Sequence, residues 1–169
     1  RLDRNTTGLL LFGKTLDALQ TLSKQIRERT IEKYYRTIVA GELKESLHLK
    51  GYLKKDEKTN TVSFSKTQVE GSDYIETGVR PICTKNGVTL AEIHLITGKT
   101  HQIRLHLSSI GHSIIGDMKY GNADINKKFH ETYHVTHQLL HAYRLEFPDG
   151  NVVVAEPPSV FSKIISEKI

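Results

Sequence analysis

IETGVRPICTKNGVTLAEIHLI, residues 75–96, decides the fold. Its two halves, 75–84 and 88–96, are rich in β-branched and apolar residues and meet at Asn86-Gly87, a dipeptide that accepts the positive φ angles of a tight hairpin turn. The stretch therefore reads as two antiparallel strands joined directly. Working outward, strand-like segments recur at 33–40, 47–54 and 61–66, and Pro148-Asp149-Gly150 marks another turn between LLHAYRLEF and NVVVAE. Near the front, Leu9 to Phe12 reads as a strand and residues 15–29 as a helix, with Leu16, Leu19, Leu22 and Ile26 on one stripe. Pro157-Pro158 stops the final strand ahead of a short helix over 159–168, and the polar stretches 54–60 and 122–134 read as loops. No βαβ rhythm repeats and hairpins dominate. The expected class is α+β, with a mixed, largely antiparallel sheet and flanking helices.

The 169 residues suffice for a sizeable core, and no Gly/Ser linker or composition shift divides them, so one domain over 1–169 is expected. No run approaches the roughly 18 consecutive apolar residues of a membrane span. The single cysteine, Cys83, excludes an internal disulfide framework and reads as a small strand residue. No signal peptide precedes Asp3, and the cytoplasm is the expected compartment. Lys and Arg number 24 against 19 Asp and Glu, a net charge of +5, which suits a partner carrying phosphates. The excess is concentrated: residues 1–36 hold eight Lys/Arg against four acids.

Within that basic segment, RLDRNTTGLLLF (residues 1–12) sets Asp3 between Arg1 and Arg4. An acid beside fixed positive charge stays ionised and oriented, as a nucleophile or acid/base group must; the same pairing also serves simply to hold a surface turn. A second segment, LITGKTHQIRLHLSSIGHSIIGDMKYG (residues 95–121), reads as a short helix punctuated by Gly98, Gly111, Gly116 and Gly121 and carrying Lys99, His101, Gln102, Arg104 and His106. Thr100 can cap that helix and Gly111 can end it. Ile103, Leu107 and Ile110 recur at helical spacing and face a core, which leaves His101, Arg104 and Ser108 on another side to meet a ligand. His130, His134, His137 and His141 also fall close together, but the last lies in a strand and no HExxH pattern is present, so no metal is expected.

These two segments and the KYYRTIVAG strand (residues 33–41) together resemble the RluA-type pseudouridine synthases, and the likeness spans the whole chain. The family's His-Arg-Leu-Asp motif, with its following Thr, Gly and apolar run, matches from Arg1 onward and puts Asp3 at the catalytic aspartate. Lys-x-Tyr matches Lys33, Tyr34 and Tyr35, placing Tyr35 at the active-site tyrosine. Thr-Gly-Arg-Thr-His-Gln-Ile-Arg matches Thr97 to Arg104 with Lys99 in place of the first arginine, and puts Arg104 where a residue pairs with the aspartate. A late Leu-His-Ala matches Leu140, His141 and Ala142. YLKKDEKTNTVSF and NKKFHETYHVTHQLLHA look most like the RluC-like subgroup, which acts on large-subunit ribosomal RNA.

The resemblance implies an isomerase that needs no cofactor, redox change or external reactant: the N1–C1′ bond of a uridine breaks, the base turns, and C5 rejoins the sugar. Asp3 would act as a nucleophile or as a base, and the residues do not choose between these. Arg104 would hold it by a charge-assisted pair, bidentate if the geometry allows. Tyr35 would stack on the uracil and serve proton transfer at C5. The target nucleotide must leave its stack, at a cost of about a few kcal/mol, and Arg1 matches a position that fills the vacated space. Arg4 and Lys99 are expected at phosphates, Lys33 beside the RNA, and His101 and Gln102 either bond RNA or fix the loop. The motif's histidine is absent, which implies a catalytic domain incomplete at its N-terminus, with strand exchange or dimerisation as expected consequences and no other protein partner. The rival is a non-catalytic structured-RNA-binding protein, against which Asp3 argues, since a carboxylate amid phosphates hinders mere binding.

Overall fold

A computed structural model of the chain describes residues 1–56 and 61–168. The 75–96 stretch forms β5 (Asp73–Lys85) and β6 (Val88–Leu95), an antiparallel hairpin in which Asn86 and Gly87 both take positive φ, 53° and 76°. Between Pro81 and Cys83 the register shifts, leaving Ile82 as an extra residue. A proline lacks the N–H that a central ladder requires, and a bulge absorbs the defect.

Around this hairpin the sheet extends both ways. β2 (Glu32–Ala40) pairs with β6 on one side and with β7 (Leu140–Glu146) on the other, while β3 (Leu47–Asp56) pairs with β5 and carries β4 (Thr61–Ser65) at the edge. The order is β1-β7-β2-β6-β5-β3-β4, with β8 (Val152–Val154) also on β7. Among the described residues every strand pairing is antiparallel except that of β1 (Thr7–Gly8) with β7. Adjacent residues of β2 point to opposite faces, as the two-residue strand period requires. Val39 packs with Ile93, Leu95 and the inward stripe Ile103 and Leu107 of α2 (Gln102–Ser109). Ile38 packs instead with Phe129 and Tyr133 of α3 (Ala123–Tyr133) and with Phe161 and Ile164 of α4 (Ser159–Lys168). Helices thus cover both faces.

Three expectations need correction. The segment 122–134 is a helix: Asn122 caps it by accepting from the Ile125 N–H, and Asn126, Phe129 and Tyr133 are buried at successive turns. Its polar composition hid a narrow buried stripe. Leu9 to Phe12 is not a strand; the Leu9 N–H reaches the Ala142 carbonyl at 2.9 Å, but no strand among the described residues continues the ladder, and Leu10 and Phe12 are exposed. Thr100 does not cap α2, whose N-cap is His101 in the left-handed region, with no side-chain bond to the helix N–H groups; the preceding turn is closed by Gln102, whose Oε1 accepts from the Lys99 N–H. The helix read at 15–29 is α1 (Leu16–Glu28), capped by Thr15, yet none of its residues is buried and Leu16, Leu19 and Ile26 face outward. Of the polar stretch 54–60, residues 57–60 lie outside the described residues. Within the described residues no helix is long and apolar enough to cross a membrane.

Candidate active site

Asp3 sits in a turn that the sequence builds locally and then fastens to the far end of the chain. Asn5 adopts φ 68°, and the Thr6 N–H donates to the Asp3 carbonyl at 3.0 Å. Gln138 Nε2 donates to the Arg4 carbonyl at 2.6 Å. One turn further on, the Thr7 hydroxyl meets His141 Nδ1 at 2.8 Å. His141 Nε2 lies 2.9 Å from the Ala155 carbonyl, which can only accept, so Nε2 carries a proton and donates there. Gly8 then crosses β7 at φ 106°, where a Cβ would stand 2.2 Å from the Ala142 carbonyl oxygen. Only glycine fits that crossing.

Tyr35 follows a second bulge, between Tyr34 and Tyr35, where β2 and β7 change register. The extra residue, Tyr143, lies on β7; β2 itself alternates without a break against β6, so Tyr35 shares the face of Val39 that α2 covers, and its ring packs against the adjoining core. Burial, aided by the charge of Asp3, pushes its phenol up to about 12. At neutral pH Tyr35 keeps its proton and is a donor, and a phenol so held is a poor proton acceptor.

Arg104 reaches the same place from the first turns of α2. Its Nη1 lies 3.8 Å from Asp3 Oδ2, an ion pair without a short hydrogen bond. The bidentate grip expected toward Asp3 is made elsewhere: Arg104 Nε donates to Asp117 Oδ2 at 2.6 Å and Nη2 to Asp117 Oδ1 at 2.8 Å. Asp117, 1% exposed, also receives the N–H groups of Lys119 and Tyr120. Burial works against the charge of both partners. The Arg104 bonds and the turn N–H groups overcome it for Asp117, whose carboxyl is held below its usual range, and Asp117 and Asp3 overcome it for Arg104, held above. The His101, Arg104 and Ser108 face therefore meets a loop of the protein itself: Arg104 lies over the Tyr120 ring, His101 Nδ1 bonds the Tyr120 hydroxyl, and Ser108 Oγ donates to the Tyr120 carbonyl.

Asp3 and Tyr35 line one cavity of about 210 Å³, together with Arg1, Thr6, Lys99, Gln102 and apolar Leu2, Leu95, Ile103 and Leu140. That is below the roughly 300 Å³ at which drug-sized pockets begin and suits a single ring. Asp3 is the sole carboxylate among these lining residues. Arg1 also borders a neighbouring groove of about 270 Å³, in whose wall Lys33 stands; burial, against the pull of Glu32, lowers the Lys33 ammonium from its ordinary value. Arg4 is exposed and borders neither space. Lys99 Nζ pairs with Asp73 at 2.8 Å on the surface. Gln102 uses its full bonding capacity inside the protein, donating to the Glu76 carbonyl and Thr77 Oγ1 and accepting from Thr97 Oγ1 and the Lys99 N–H, so it fixes the loop. His101 is likewise turned to Tyr120, and burial, with Arg104 and Lys119 adding to it, keeps its imidazole below the ordinary value. Among the described residues no three His, Cys, Asp or Glu side chains converge on a metal-sized site, and His130 bonds the Val135 carbonyl.

Sequence reasoning missed Asp117, Tyr120 and Gln138. The signal for Asp117 lay in Gly116-Asp117, a glycine at φ 81° directly before a buried acid. Gln138 gave none, since its role depends on a contact across the whole chain.

An α+β fold with a small cavity at the edge of the sheet is what the structure defines, and the chain belongs to the RNA pseudouridylate synthase family, whose model matches residues 1–109. Ribosomal large subunit pseudouridine synthase D of Nitrosomonas europaea is 33% identical over 165 residues, covering 94% of this chain and 46% of that protein. Ribosomal large subunit pseudouridine synthase C of Buchnera aphidicola subsp. Baizongia pistaciae is 35% identical over 176 residues, covering 100% of this chain and 55% of its own length. The chain thus spans about half the length of the curated relatives it matches. Among solved structures, human RNA Pseudouridylate Synthase Domain Containing 4 superposes with a TM-score of 0.81 at 21% identity, covering 98% of this chain and 73% of that one. That likeness speaks for the fold alone.

Proposed function

We propose that residues 1–169 form one catalytic unit that converts uridine to pseudouridine in RNA, with large-subunit ribosomal RNA, in the cytoplasm, as its substrate. The observation that carries the reading is a lone carboxylate, Asp3, in a single-ring cavity, held 3.8 Å from a guanidinium and facing a protonated phenol. Hydrolysis of a glycosidic bond by a carboxylate pair needs a second acid, which the lining lacks. The relatives named for ribosomal large subunit pseudouridine synthesis support the choice of substrate.

In this reading the flipped uracil enters beside Tyr35, whose ring stacks on it and whose hydroxyl donates to it. Asp3 attacks the sugar or the base, or removes a sugar proton, while the N1–C1′ bond breaks. The base then turns so that C5 bonds C1′; the bond to Asp3 breaks, or the proton it took returns to the sugar, while the C5 proton leaves and N1 gains one. Burial keeps the phenol protonated in the free site, so Tyr35 first acts as a donor, and the proton leaving C5 passes to Asp3, to water or, once Tyr35 has given up its own proton, to its phenolate. Arg104 balances the carboxylate from the side, and Arg1, at the border of both hollows, is placed to fill the gap left in the RNA stack. Lys33 and Lys99 stand around it for phosphates, and Arg4 lies further out.

The test uses ribosomal RNA from cells lacking the gene, incubated with wild-type protein or with Asp3→Asn and mapped by carbodiimide-dependent primer stops and mass spectrometry. Wild type is expected to form pseudouridine. Asp3→Asn should bind the RNA with affinity within about threefold of wild type and form none. Product from Asp3→Asn would remove the mechanism, and RNA binding without product from wild type would favour the non-catalytic alternative.

A further inference from the structure

Asp117 borders neither the cavity nor the groove, yet its whole bonding capacity is spent within reach of the site. Its backbone is clamped first. Gly116 donates its N–H to Asn126 Oδ1 at 2.8 Å, and Asn126 Nδ2 donates to the Asp117 carbonyl at 2.9 Å, so a buried amide of α3 fixes the residue from behind. A side chain at position 116 would place its Cβ 2.2 Å from the His137 carbonyl, so the approach depends on glycine. The Asp117 carboxylate then takes the Nε and Nη2 edge of Arg104 while the Tyr120 ring lies against the guanidinium.

We infer that Asp117 is a positioning residue for the reaction proposed above, holding Arg104 by its Nε–Nη2 edge so that only the Nη1 corner is presented to Asp3. The consequence is chemical. A guanidinium at liberty to turn would fork onto Asp3 itself and commit both carboxylate oxygens to short bonds. Held 3.8 Å away, it supplies positive charge and leaves those oxygens uncommitted for the reacting atoms. A preset charge of this kind needs no rearrangement during the chemical step.

Asp117→Asn separates this role from a structural one. The Asn Oδ1 still accepts from Lys119, Tyr120 and Arg104 Nη2, which preserves the turn, while its amide nitrogen faces Arg104 Nε, donor against donor. On ribosomal RNA, kcat should fall about 10- to 100-fold with KM changed less than about twofold, the pattern of lost alignment. In an Arg104→Met background the same substitution should cost no further rate, because its only route is through the guanidinium. A readout free of turnover is the Arg104 Nε–H signal in ¹⁵N-resolved NMR: it should persist in Asp3→Asn and vanish in Asp117→Asn. Loss of that signal in Asp3→Asn, unchanged kcat in Asp117→Asn, a loss confined to KM, or an additive loss in the double variant would each overturn the inference. If wild-type protein forms no pseudouridine while the NMR pattern holds, the functional reading fails and the clamp stands.

Discussion

Replacing Gly8 by alanine should detach the segment that carries Asp3. At φ 106° an L-residue is strained, by about 1–2 kcal/mol. The added Cβ would also lie 2.2 Å from the Ala142 carbonyl oxygen and 2.7 Å from its nitrogen. Both are backbone atoms of β7, so no rotamer change relieves the clash, and the strands must part. β1 pairs over two residues only, so separation is cheaper than distorting β7. Separation gives up the Leu9 N–H bond to Ala142 and the Thr7 bond to His141, a net loss of about 1 kcal/mol each. The expected result is a fall of about 3 kcal/mol in urea unfolding, with the slope unchanged, and loss of hydrogen-exchange protection at the Leu9 amide. Gly98→Ala, where a Cβ meets nothing within 4 Å, is the control and should stay within about 0.5 kcal/mol of wild type. A Gly8→Ala protein as stable as that control, or one that keeps Leu9 protected, would refute the reasoning.

The remaining expectations concern stability. Asn122→Ala removes the α3 cap bond to the Ile125 N–H and should cost about 1 kcal/mol in denaturant unfolding. Leu19→Glu, on a helix with no buried residue, should change the midpoint by less than about 0.5 kcal/mol; a larger loss would mean that the α1 stripe is covered in solution. His106, buried against Thr77 and Phe64, has its imidazole lowered by burial to about 4. Its folded value lies below its unfolded value near 6.5, so the neutral ring contributes stability above pH 6.5 that is lost as pH falls toward 4. The loss should be on the order of 1–2 kcal/mol, and His106→Gln should flatten that part of a melting-temperature profile.

Hairpins were legible because their signals are local: Asn86-Gly87 and Pro148-Asp149-Gly150 each carry their own turn chemistry, and β-branched runs flank them. The buried face of α2 was legible for the same reason, since Ile103 and Leu107 repeat at helical spacing. α3 was not, because three buried positions and the half-buried Ile125 among seven exposed ones do not stand out from a loop. The segment after Gly8 misled in the other direction: apolar Leu9 to Phe12 has strand composition, but a strand also needs a partner with free N–H and C=O groups. At the site, the three groups were placed by motif, and the structure brings them to one place. The fork of Arg104 went to Asp117 because a buried carboxylate with two N–H donors of its own outcompetes a partly exposed one. Contacts such as Gln138 to Arg4 depend on fold topology, which no window of sequence contains.

That last contact ties residues 134 positions apart. Closing so long a loop costs conformational entropy that nearer pairings do not, and non-local contacts form late. The β5–β6 hairpin can therefore assemble while the chain is still being synthesised, whereas the turn bearing Asp3 has no anchor until the strand of His141 has been made and has docked. The turn bearing Asp3 is thus assembled last, and a chain interrupted before β7 would hold five of the eight strands, β2 to β6, with that carboxylate unanchored.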